Sequence, residues 1–141
     1  MTDLVNLTIA EALDLLNKKE ITSEELTQAH IAEMEKGRVL NAFITETPDL
    51  ALEQAKASDE KRASGSPLGS LEGIPIANKD LYCTKGVKTT AASKILSNFV
   101  PPYESTVSQK LKDAGTIMLG KLNTDQFAMG GSTDRKSTRL N

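Results

Sequence analysis

The chain has 141 residues, 38 % hydrophobic and 26 % charged, with a formal net charge of −2, which sets the scale of one small domain or a piece of a larger one. Aromatic content is 4 % with no tryptophan, so a core must be built on Leu, Ile, Val, Ala and Met. No basic stripe is available to neutralise phosphates, which argues against direct nucleic-acid binding, and the single cysteine, Cys83, excludes an internal disulfide and suits a reducing compartment.

The start Met1-Thr2-Asp3-Leu4 lacks the basic and then apolar regions of a secretory signal. Asn6-Leu7-Thr8 therefore matches a glycosylation acceptor by letter only. No stretch approaches membrane-spanning length. A bacterial cytoplasm is the expected location, or an organellar matrix in a eukaryote.

Thr8 and Glu11 have capping-box spacing before the apolar positions Ile9, Ala12, Leu13, Leu15 and Leu16, predicting a short amphipathic helix to Asn17. Thr22 and Glu25 repeat the spacing, and Leu26, Ala29, Ile31 and Met34 offer the apolar face of a second helix that Gly37 ends. Asn41 to Thr45 is rich in strand formers. Thr47-Pro48 then opens a helix to Ala63, whose Leu52, Ala55 and Lys56 positions give a narrow, small-residue face for packing on a sheet.

Ser64 to Ser70 is a turn-rich joint between a helical lead-in, residues 1–65, and the strand-bearing remainder of the chain. Leu71 to Asp80 reads as a short apolar strand ending in Lys79 and Asp80. The chain is then loop-like through Gly86, with a helical turn or two over Ala91 to Leu96. Glu104 to Ala114 reads as a helix started near Ser105 or Thr106 and closed by Gly115, and Thr116 to Gly120 as a strand. Strand, helix, strand in that order is a βαβ unit with parallel pairing.

A lysine set at the mouth of a sheet by apolar neighbours has its charged form disfavoured and can serve as a base, which a solvated lysine cannot. On spacing alone, Lys79 also reads as an ordinary strand end whose Lys-Asp pair reaches water. Cys83 with His30 lacks a third orienting group for thiol chemistry, and one His with one Cys is too few for zinc. Gly120-Lys121 lacks the glycine spacing of a phosphate loop and reads as a strand-end lysine.

The runs Gly73-Ile74-Pro75-Ile76-Ala77-Asn78-Lys79-Asp80, Gly115 to Leu122 and Phe127-Ala128-Met129-Gly130 together resemble the amidase signature family, from about Leu7 to Thr133. The resemblance implies an α/β fold: a helical lead-in, then from residue 66 to 133 the first strands of a mixed sheet flanked by helices. It also implies an acyl-enzyme made by a serine whose proton passes through a second serine to a lysine, a position on which Lys79 falls. Both serines belong to a Gly/Ser-rich run absent from these 141 residues. The resemblance also implies that the main chain at Met129 and Gly130 falls on the substrate side of the pocket. Gly130-Gly131-Ser132 only superficially resembles a glycine-flanked nucleophile, and its glycines read equally as a turn.

Within the family the resemblance is to the glutaminase subunits of tRNA-dependent amidotransferases. That implies glutamine as substrate, no cofactor or metal on this chain, and a large B and a small C partner subunit. The B subunit would use ATP and magnesium to amidate glutamate, or aspartate in related systems, on tRNA. A stand-alone hydrolase of another amide and a non-catalytic binding or scaffold fragment are the alternatives. Two departures stand out. Asn78 replaces an aliphatic residue and needs a partner, and the basic tail 134–141 lacks an apolar pattern and reads as non-native.

Overall fold

Two threonines open the first two helices of the computed structural model, which describes residues 3–131. Helix α1 (Ile9–Lys18) carries a complete capping box: Thr8 N–H donates to the Glu11 carboxylate at 2.8 Å and Glu11 N–H to Thr8 Oγ1 at 3.3 Å. The Thr8 amide, and after it the Thr8 hydroxyl, donate to the Glu11 carboxyl and hold it below its ordinary pKa. Helix α2 (Ser23–Lys36) repeats the device with Thr22 and Glu25. Its free N-terminal amides at Ser23 and Glu24 also donate to Asp59, at 2.8 and 3.0 Å, so a carboxylate from the third helix meets the positive end of the second.

Gly37 ends the regular α-helix, but the chain runs on as a tighter turn, Gly37–Leu40, and the left-handed residue that stops it is Asn41 (φ 51°). Helix α3 (Pro48–Ala63) packs through Ala51, Ala55 and Ser58. The expected face is therefore corrected by one position. Leu52 is half-buried, whereas Lys56 is exposed and reaches towards Glu24, because the small residues at i, i+4 and i+7 form the stripe that lets backbones approach.

The sheet has the order β1-β3-β2, from Phe43–Glu46, Pro75–Lys79 and Ile117–Leu122. Strand β2 pairs parallel to β3, with α4 (Thr106–Asp113) between them in sequence, as a βαβ unit requires. Strand β1 is antiparallel to β3, which makes the sheet mixed. Segments on both sides of the 64–70 joint thus share one sheet. They share both cores too. Ile31, Met34, Ala51 and Ala55 pack on Ile117 and Leu119, and Ala12, Leu16 and Leu26 pack on Ile74. Each fully buried Leu or Ile side chain among them contributes about 2 kcal/mol from apolar area removed from water.

The ladder between β2 and β3 pairs Ile76 with Met118 but Asn78 with Lys121, so β3 carries one extra residue there. Strict alternation would put Met118 and Lys121, three apart, on opposite faces; the bulge puts both on the face of Asn78. Gly120 sits in this bulge, where a Cβ would lie 2.3 Å from the Thr45 carbonyl oxygen of β1. A further difference from expectation lies at 91–96: only Lys94–Leu96 makes a helical turn, and Ala91 and Ala92 are left-handed. Ser132 and the tail 134–141 fall outside the described residues.

Candidate functional site

Parallel pairing brings the C-terminal ends of β2 and β3 to one edge, with Lys79 opposite Leu122. Asp80 N–H extends the pairing to Leu122 O at 3.0 Å. The segments leaving the strands, 80–101 and 123–131, therefore meet at the edge where open α/β sheets bind ligands.

Lys79 and Asp80 face opposite ways, as adjacent strand positions do. Lys79 is exposed and its amine meets no protein partner among the described residues. Residues 3–131 do not supply the apolar enclosure expected of it. Asp80 is fully buried. Its carboxylate accepts from Thr90 N–H at 3.1 Å, Thr90 Oγ1–H at 2.5 Å and Ala92 N–H at 3.4 Å. It does not pair with Lys79.

Asp80 also fixes the loop through its main chain, accepting from Ala91 N–H at 2.8 Å. Ala91 and Ala92 are both left-handed (φ 49° and 54°), and so are Phe127 and Ala128 (φ 53° and 57°). Each costs an alanine or bulkier residue about 1 kcal/mol and persists only where its surroundings hold it. The two pairs are joined, since Phe127 N–H donates to Ala91 O at 2.8 Å. Gln126 Nε2 donates to Ser93 Oγ at 3.2 Å beside them. Met129 comes next, 75 % exposed, and Gly130 packs so closely that a Cβ would meet the Asp125 carboxylate at 2.6 Å. The structure thus brings the 127–130 turn to the edge that holds Lys79.

The buried lysine of the sheet is Lys121, which sequence reasoning placed at a strand end. It is fully buried. Its Nζ donates to Tyr82 O, to Thr84 Oγ1 at 3.1 Å and to Thr89 Oγ1 at 2.9 Å. The two threonine hydroxyls spend their own protons on Tyr82 O and Val87 O, so all three contacts are donations by the amine. An ammonium has three N–H bonds to a neutral amine's two, and three acceptors face this one. Burial pulls its pKa below the ordinary lysine value, and the Asp80 carboxylate opposes that pull, with smaller help from Cys83 and Glu104. The signal in the sequence was a lysine after three apolar residues and a glycine, Ile117-Met118-Leu119-Gly120.

Asn78 is buried and donates to Met118 Sδ at 3.6 Å. His30 lies half-buried on α2, where burial lowers its pKa, and no hydrogen bond joins it to Cys83 among the described residues. Cys83 Sγ instead faces Tyr103 Oη at 3.7 Å. Among the described residues no three His, Cys, Asp or Glu side chains converge to hold a metal ion, and no helix is long and apolar enough to cross a membrane.

Comparison with known proteins bears on this edge. Residues 25–139 match the family model described as Amidase. The chain is 64 % identical over 132 residues to the A subunit of the glutamyl-tRNA(Gln) amidotransferase of Paramagnetospirillum magneticum, covering 94 % of this chain and 27 % of that protein. The corresponding protein of Rhodospirillum rubrum is 63 % identical over 131 residues, covering 93 % and 26 %. Among solved structures, the peptide amidase from Stenotrophomonas maltophilia superposes with a TM-score of 0.81 at 32 % identity, over 86 % of this chain and 26 % of that one. A bacterial aryl acylamidase of the amidase signature enzymes gives a TM-score of 0.80 at 27 % identity, over 86 % and 26 %. The chain spans about a quarter of the length of the curated relatives it matches.

Proposed function

This chain belongs to the amidase family, and on that premise we propose that the whole protein it forms part of is the glutamine-hydrolysing subunit of a tRNA-dependent amidotransferase. The observation that carries the reading is Lys79. It stands exposed at the C-terminal edge of the parallel pair, beside the 127–130 turn, with the Asp80 carboxylate turned away into the fold.

Lys79 is the base. A serine hydroxyl from the rest of the protein attacks the glutamine side-chain amide while its proton passes through a second serine to the neutral Lys79 amine. The acyl–oxygen bond forms, the C–N bond breaks, and the leaving ammonia takes that proton; water then releases glutamate from the serine. An Asp80 carboxylate against the amine would favour the charged form, so its inward direction suits the role. The main chain at Met129 and Gly130 lines the substrate side. Ammonia passes to a B subunit, held with a small C subunit, which uses ATP and magnesium to amidate glutamate, or aspartate in related systems, on tRNA.

The identity of about two thirds to amidotransferase subunits, against about one third to the peptide amidase, favours this reading over hydrolysis of another amide. The test is glutamine turnover by the full-length protein assembled with its partners. Both Lys79→Ala and Lys79→Arg should lower kcat by about 10²- to 10⁴-fold, because a guanidinium cannot give up its proton in this range. Near-normal turnover by Lys79→Arg would withdraw the lysine as base.

A further inference from the structure

We propose that Asp80 and Lys121 are positioning residues of opposite charge that lock residues 82–92 onto the sheet edge and so set the Phe127–Gly130 turn relative to Lys79. The inference rests on the assignment of Lys79 and the turn to the amide-cleaving site. It adds two buried charged groups that do not touch the substrate.

The connection runs through named bonds. Lys121 holds the loop as far as Thr89 by its three donations to Tyr82, Thr84 and Thr89. Asp80 holds the remainder by accepting from the Thr90 and Ala92 amides and the Thr90 hydroxyl. Between these anchors, Ala91 keeps a left-handed backbone with its N–H on Asp80 O and its C=O accepting from Phe127 N–H, both at 2.8 Å. An alanine leaves that conformation when its partners are removed. Releasing either anchor therefore releases the acceptor of Phe127, and Met129 and Gly130 move with it. Lys79 is fixed by the same parts, since Asp80 N–H pairs with Leu122 O and Tyr82 N–H with Lys79 O.

The full-length protein, assembled with its partners, tests this with Asp80→Asn, Lys121→Met and the milder Thr90→Val, which keeps the side-chain shape and removes one donor. Asp80→Asn and Lys121→Met should raise KM for glutamine about ten-fold and lower kcat about 100-fold, the loss that a displacement on the order of 1 Å produces. Thr90→Val should show the same split at about three-fold in KM. Hydrogen exchange over residues 124–131 should quicken in all three, a readout independent of turnover. Unchanged exchange there and unchanged KM and kcat in folded Thr90→Val would overturn the proposal, even if the other two variants failed to assemble. Retained turnover in Lys79→Ala would instead remove the reading beneath it, and the exchange result would still show whether the two anchors control the turn.

Discussion

Asn78→Val should stabilise the sheet, although it deletes a buried hydrogen bond. Asn78 is 7 % exposed and its amide donates only to a thioether sulfur at 3.6 Å, a weak acceptor. Burying an amide without good partners costs about 1–3 kcal/mol by mutational data. Asn78 also lines a cavity of about 120 Å³ with Ile76, Thr84 and Met118, roomy enough for water to serve part of the amide. That places the cost at the low end. Valine restores a β-branched residue of similar size on the pleat, so the net gain is about 1 kcal/mol. Amide exchange in peptides covering residues 74–80 and 117–122 of the full-length protein should then slow about five-fold. Unchanged or faster exchange would show that the amide is well satisfied where it lies, and the reasoning would fail.

Glu72 is buried, which would raise its pKa; hydrogen bonds from Lys61, the Gly69 amide and Ser58 outweigh burial and hold it below the ordinary 4.5. A folded pKa lower than the unfolded one stabilises fully above that value and is lost as pH falls through the folded one. Glu72→Gln should therefore cost about 1–2 kcal/mol at pH 7 in urea unfolding and flatten the acid limb; an unaltered limb would count against it. Gly115 (φ +84°) closes α4, and a Cβ there would lie 2.4 Å from Glu72 Oε2 and 2.9 Å from Glu72 Cα. Gly115→Ala should lose at least about 2 kcal/mol or soluble expression, and a wild-type urea midpoint would contradict this. The 141-residue chain alone should turn over no glutamine and should aggregate in proportion to its concentration, because β1 and β2 are both edge strands. Turnover abolished by Lys79→Ala, or reversible two-state melting of its monomer, would refute those two expectations in turn.

What the sequence determined by itself is local. Thr8 with Glu11 and Thr22 with Glu25 start α1 and α2 where their spacing says, because a capping box is closed within four residues. Pro48 starts α3, Ser105 caps α4, and Gly115 ends it with a left-handed turn, each for a reason held in one or two side chains. The motif runs around Lys79 and Met129-Gly130 were legible because they are contiguous. Tertiary structure decided which lysine is buried. Alternation read forward from Ile117 misassigns Lys121, because β3 carries its extra residue only in its pairing with β2, where Gly120 admits the Thr45 carbonyl of β1. The left-handed pair at Ala91 and Ala92 was equally hidden, since alanine prefers the helix expected there. Asp80, more than ten residues back along the chain from Ala92 and held at the strand end by β3, supplies the acceptors that hold the alternative, its main-chain oxygen for Ala91 N–H and its carboxylate for Ala92 N–H.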